Sequence, residues 1–219
     1  MENIKIIRAY LMANKLKEVI RTGWQELEVS SPRLESVAEH VYGTLVLTIM
    51  IASERKLDLD FTKVFMMITI KELEKVDKEL TPRSYPTVED RNEKAKRTIA
   101  TIFDGFIQKD EIVKLLEECQ NLETEEAKFV KMVSTLESDL QAKIYDINGF
   151  IDKDKAKEDA EACFGVDNMP DINNPSDGFT TYNKKYYVGN EYFMNFSNDI
   201  QKINSREDIY LNNDSRNRS

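Results

Sequence analysis

The sequence predicts an all-α fold, and three observations carry that expectation. Apolar residues recur at spacings of three and four through about residue 164, the period of a helix face rather than of a strand. Helix-starting and helix-stopping residues punctuate that pattern, among them Asp60, Gly23 and Gly149. Hydrophobic residues make up 41% and charged residues 32% of 219 residues, a balance that gives a helical bundle a real core and a solvated surface.

In chain order, Ile4, Ile7, Leu11 and Leu16 mark a first amphipathic helix running toward Arg21, with Gly23 as its break and Ser30-Ser31-Pro32 as a loop. A second helix begins near Arg33. Its apolar line is Val37, Val41, Leu45, Thr48 and Ala52, and it is apolar over much of its circumference, so it is expected to be the buried central helix. Asp60 caps a third helix with Phe61, Val64, Phe65 and Ile68 inward, and that helix ends in Lys71-Glu72-Leu73-Glu74-Lys75. Thr81-Pro82 and Tyr85-Pro86 mark a loop. Further helices are expected over Thr87–Phe103, Lys109–Gln120, Thr124–Tyr145 and Lys153–Phe164. After Gly165 the chain is rich in Asn, Asp, Gly, Pro and Tyr. The expected organisation is one helical bundle over 1–164, an irregular extension over 165–205 whose helix Tyr192–Ile203 packs back, and a mobile tail over 206–219.

Composition excludes several functions. A formal net charge of −9 disfavours a nucleic-acid polymer as partner, because phosphate backbones need a basic patch. No apolar run reaches the roughly 20 residues of a membrane span. The start Met1-Glu2-Asn3-Ile4-Lys5 has no apolar signal core, so no membrane association and a cytoplasmic location are expected. Cys119 and Cys163 have no metal-like spacing and read as ordinary reduced thiols. His40 is the single histidine of the chain, which rules out any one-chain site built on two imidazoles.

Three segments together carry a family resemblance: Arg21-Thr22-Gly23-Trp24, then Glu35-Ser36-Val37-Ala38-Glu39-His40, then Leu140-Gln141-Ala142-Lys143-Ile144-Tyr145-Asp146. In this order and spacing, over residues 4–150, the chain resembles the 5′-deoxynucleotidase branch of the HD-domain phosphohydrolases. The resemblance implies an all-α HD bundle, a homodimer by family analogy, and one divalent metal among helices. That metal is held by a His on the central helix, a His-Asp or His-Glu pair ending the next helix, and a later Asp. It would activate water against the phosphate of a deoxynucleoside monophosphate.

Carried over by residue, the resemblance gives a partial site. His40 matches the first metal ligand, and Arg21 and Trp24 match the substrate-holding turn. The paired position reads Lys71-Glu72: Glu72 can still ligate, but an ammonium offers no lone pair. The later Asp aligns with Ser134. Glu74 matches a family carboxylate, Lys75 reverses a charge, and the remaining acid is either Asp77 or Glu79. Two ligands, His40 and Glu72, are too few for a tight transition-metal site, which takes three or four. The expectation is that Lys71 crowds the metal position and pairs with Glu72 and Glu74, and that Arg21 and Lys71 attract a phosphate or carboxylate. No cofactor is expected; an active form would need Mn, Co, Zn or Fe.

Each residue also has a plain structural role to weigh. His40 alone is a hydrogen-bonded core histidine, Trp24 a core aromatic, Arg21 a complement to a helix dipole, and Glu137 and Asp139 helix surface. Three functions follow. The first is a degenerate HD protein that binds a nucleotide, another phosphorylated small molecule, or a protein partner. The second is a still active metal-dependent nucleotidase using His40, Glu72, Glu74 and an acid such as Asp77 or Asp139. The third is an interaction protein working through Asp167–Asn190.

Overall fold

Caps written into the sequence set where the helices begin. In the computed structural model, which describes residues 3–77 and 87–210, Ser36 accepts from the Glu39 backbone N–H, and the Glu39 carboxylate accepts from the Ser36 N–H at 2.8 Å. This reciprocal box satisfies two donors that a helix start would otherwise leave unpaired. Asp60, Thr87, Asp152 and Asn190 cap by the same logic, each side chain accepting from a backbone N–H three residues on.

The helices that follow are α1 (Ile4–Asn14), α2 (Thr22–Glu26), α3 (Val37–Glu54), α4 (Phe61–Leu73), α5 (Val88–Ile102), α6 (Lys109–Asn121), α7 (Glu125–Ile147), α8 (Lys153–Phe164), α9 (Asp177–Asn183), α10 (Glu191–Gln201) and α11 (Arg206–Tyr210). The described residues hold no strand, only an isolated antiparallel bridge between Ile20 and Ser36, so the fold is all-α. No described helix is long and apolar enough to cross a membrane. The expected loop around Thr81-Pro82 and Tyr85-Pro86 lies outside the described residues, as does the tail beyond Tyr210.

Three expectations are corrected. Ile4, Ile7 and Leu11 are exposed on α1 by 42%, 49% and 59%; the residues of α1 that meet the core are Ala9, Met12 and Ala13. Gly23 does not stop that helix. α1 passes into a short 3-10 turn over Lys15–Lys17, and Gly23 sits inside α2. On α3 the buried stripe is Val37, His40, Thr44, Leu47, Thr48 and Ile51, while Tyr42, Ile49 and Met50 are exposed, so α3 is not buried on all sides. Apolar spacing misplaced the stripe because half of it is polar, with the Thr48 hydroxyl donating to the Thr44 carbonyl at 2.8 Å.

The chain forms two compact units. The first comprises residues 1–22 and 34–134, and its core gathers Leu16, Val37, Ile70, Leu73, Ala95, Ile99, Ile102 and Leu116. The second comprises residues 23–33 and 135–219. Its buried aromatics are Trp24, Tyr145, Tyr187 and Phe193, with Trp24 edge-on to Tyr145 at 5.3 Å and Tyr187 stacked on Phe193 at 6.0 Å. The segment after Gly165 is more regular than its composition suggests, holding α9 and α10. Gly178 permits close packing there: a Cβ at that position would lie 3.1 Å from the Ala160 Cβ.

Candidate functional site

In the first unit a short antiparallel clip, the Ile20–Ser36 bridge, sets the geometry. The Arg21 N–H donates to the Glu35 carbonyl at 3.1 Å and the Val37 N–H to the Val19 carbonyl at 2.8 Å. The clip places the Arg21 guanidinium against the Glu35 carboxylate at 2.8 Å, directly before the capped start of α3. One turn into α3, His40 is buried. A Glu35 carboxylate oxygen and a His40 ring nitrogen lie within 4.8 Å of each other.

The last turn of α4 supplies the neighbours of His40. The Lys71 ammonium donates to the Glu72 carboxylate at 2.5 Å and to the Ser134 hydroxyl, from α7, at 3.0 Å. His40 Nε2 lies 3.0 Å from the same hydroxyl. Lys75 approaches the other oxygen of Glu72 at 2.5 Å. The structure thus brings His40, Lys71, Glu72 and Ser134 together, and adds Lys75. Glu74 stands slightly apart, its carboxylate accepting from the Gln120 amide at 3.4 Å.

The electrostatics explain why this cluster tolerates burial. Burial opposes the charge of Glu72, but Lys71 and Lys75 outweigh it and hold the carboxyl well below its ordinary range. Burial likewise opposes the charge of Lys71, and Glu72 with Glu74 reverses the balance, so the ammonium persists above the ordinary lysine range. His40 goes the other way: burial, then the charge of Arg21, push it well below 6.5, so the imidazole is neutral near pH 7. Its 3.9 Å approach to Glu72 is therefore no ion pair. Ser134 is thus shared by Lys71 and His40, and its hydroxyl engages His40 Nε2.

These residues do not fit the metal that the resemblance implies. An ammonium stands among the ligand positions, Glu72 is engaged by two lysines, and His40 Nε2 is engaged by the Ser134 hydroxyl.

Beside the cluster a cleft of about 300 Å³ opens, lined by Lys71, Lys75, Arg91 and Lys131, by Glu72 and Glu74, and by Cys119, Gln120, Leu122 and Val130. Burial pushes the Cys119 thiol up to about 11, so it is not a nucleophile. Glu74 is raised by burial and then by the charge of Glu72, so it holds its proton more readily than an ordinary glutamate. Arg91 and Glu35 carried no assigned role in the sequence reading. Arg91 lies in Val88-Glu89-Asp90-Arg91-Asn92-Glu93-Lys94, a charge run that looks like any solvated helix face.

Other expected residues sit elsewhere. Trp24 is a buried aromatic of the second unit, 2% exposed, against Tyr145 and Phe179. Asp77 pairs with Lys94 at 3.1 Å. Glu79 lies outside the described residues. Glu137 and Asp139 are not helix surface: they are 8% and 0% exposed. Asp139 accepts from the Asn183 amide and the Tyr187 hydroxyl, each at 2.7 Å, and burial pushes its carboxyl up to about 7 against the pull of those two bonds. In the same unit, the buried ammonium of Lys143 lies 3.4 Å from Asp146 and 3.5 Å from Asp177.

Comparison with known proteins agrees with this architecture. The 5′-deoxynucleotidase HDDC2 of Mus musculus is 29% identical over 145 residues, covering 64% of this chain and 70% of that protein. The Xenopus laevis protein of the same name is 30% identical over 138 residues, 62% of this chain and 66% of its own length. Among solved structures, the PH0347 protein of Pyrococcus horikoshii superposes with a TM-score of 0.58 at 22% identity, covering 90% of this chain and 98% of that one. A conserved hypothetical protein of Pyrococcus furiosus gives 0.53 at 26% identity, covering 66% and 86%. The profile of the HD domain matches residues 13–167, most of the length of the chain, and the chain belongs to the HD-domain family.

Proposed function

We propose that this is a nucleotidase-like HD protein in which the Lys71 ammonium takes the place of the metal, so that it binds a phosphate-bearing, nucleotide-like ligand without hydrolysing it. The observation that carries this reading is the contact set of Lys71. It lies 2.5 Å from Glu72 and 3.0 Å from Ser134, which in turn meets His40 at 3.0 Å. An internal cation neutralises a carboxylate that would otherwise be buried and unpaired. It supplies no bound water of lowered pKa, which is what metal-dependent hydrolysis needs. The relatives support the ligand class through their name, 5′-deoxynucleotidase.

The test is hydrolysis of deoxynucleoside monophosphates with added Mn²⁺ or Co²⁺. The expected result is phosphate release no faster than with a Lys71→Ala, His40→Ala control. Metal-dependent turnover that disappears in His40→Ala overturns the reading. One observation favours the second reading, an active metal enzyme: the approach of Glu35 to His40 within 4.8 Å offers a carboxylate outside the expected ligand set. Against it stands the engagement of Glu35 by Arg21 at 2.8 Å. A His40-dependent turnover that also falls in Glu35→Gln would establish it.

A further inference from the structure

The cleft beside Lys71 holds an arginine with one unsatisfied donor. The Nε of Arg91 is buried with no hydrogen-bond partner, and its guanidinium makes no ion pair among the described residues. A buried donor left unmade is costly, and a charged one more so. In the same cleft the ammonium groups are not exhausted. Lys71 spends two of its three donors, on Glu72 and Ser134, and Lys75 spends one, on Glu72. Glu72 is thus shared by two cations. The lining sets four cationic side chains, Lys71, Lys75, Arg91 and Lys131, against two carboxylates, Glu72 and Glu74, and so carries an excess of positive charge.

We propose that Arg91, together with Lys71 and Lys75, holds the oxyanion of a phosphomonoester directly, without a metal. A planar guanidinium grips phosphate through paired N–H donors, and the two ammonium groups add point charge from α4 and the turn after it. The apolar wall of Leu122 and Val130 gives the rest of the ligand a surface to lie on. A volume of about 300 Å³ is at the small end for ligand pockets, which suits a sugar phosphate or a mononucleotide. This inference rests on the reading of a metal-free site, and it adds a residue that neither the resemblance nor the sequence assigned.

The experiment is calorimetric titration of the full chain, dialysed against EDTA, with inorganic phosphate and with ribose 5-phosphate. Saturable binding of both is expected, tighter for ribose 5-phosphate and weaker at high salt. Arg91→Gln should weaken both by about tenfold or more, Arg91→Lys by less, and Arg97→Gln, an exposed arginine on the same helix, not at all. A melting experiment adds a readout that a structural role would not give. With its orphan donor gone, Arg91→Met should melt no lower than wild type without anion, and phosphate should raise the wild type alone. No saturable binding, binding indifferent to Arg91→Gln, or an Arg91→Met that simply melts low each overturns the inference. If binding appears only after Mn²⁺ is added, the inference and the metal-free reading fall together. If neither condition gives binding while hydrolysis stays absent, only the inference falls.

Discussion

Two buried polar regions of this chain solve the same problem in opposite ways. In the first unit, Glu72 is 3% exposed and meets two lysines at 2.5 Å, with His40 and Ser134 behind and an open cleft beside it. In the second unit, Asp139 is 0% exposed and accepts from two neutral donors, Asn183 and Tyr187, each at 2.7 Å. The first carboxyl is held ionised by charge, whereas the second is pushed toward protonation by burial, which its two hydrogen bonds and the charge of Lys184 do not outweigh. Cations beside a cleft leave donors over for a ligand. A carboxyl satisfied by two neutral donors leaves nothing over, and its work is to fasten α9 and the turn after it to α7.

The largest effect should come from removing the charge that organises the first region. Glu72→Gln leaves Lys71 and Lys75 without their shared carboxylate. Loss of one partner of a buried pair costs about 3 kcal/mol. Equilibrium urea unfolding measures it, and a loss near zero would mean that the lysines are solvated and the contact set is incidental.

The fastening in the second region should be weaker and pH-dependent. Tyr187→Phe removes one donor from Asp139, costing about 1.5 kcal/mol where that carboxyl is ionised and less where it holds its proton. Urea unfolding at pH 8 and pH 5 separates the two, and an equal loss at both would argue against ionisation at Asp139.

The smallest effect is a change of slope. With its folded value at about 7, above the ordinary aspartate value of 3.8, Asp139 binds a proton in the folded chain that the unfolded chain has released. Its contribution is fully present below about pH 4 and is lost as pH rises through 7. His40, depressed in the folded state, acts in the opposite sense: its contribution is present above 6.5 and lost as pH falls below that. Asp139→Asn should therefore gain stability relative to wild type as pH rises from 4 to 8, and His40→Gln should not. Parallel pH profiles for wild type and Asp139→Asn would remove Asp139 from the account.

The two regions also differ in how far the sequence reveals them. Most helices were legible from period and caps: α8 was expected over Lys153–Phe164 and lies there, and Asp60 caps α4 through the Lys63 N–H. His40, Lys71, Glu72 and Ser134 were legible together because ordered motifs carry a family pattern into neighbouring helices. Asp139 was not, because its partners lie 44 and 48 residues away and no local period marks a buried acid. Arg91 was hidden in a charge run, since a buried donor without a partner is visible only once its surroundings are. The exposed Ile4, Ile7 and Leu11 show the same limit: periodicity identifies a helix but not which stripe of it meets the core.

The central claim is that the Lys71 ammonium occupies the place of a metal. Metal content of the purified protein after exposure to Mn²⁺ or Co²⁺ and dialysis tests it most directly, with Lys71→His, Ser134→Asp alongside. The account predicts far less than one metal ion per wild-type chain, and a gain in the double variant, which restores an imidazole and a carboxylate beside His40 and Glu72. One tightly held Mn, Co, Zn or Fe per wild-type chain, lost in His40→Ala, would contradict it.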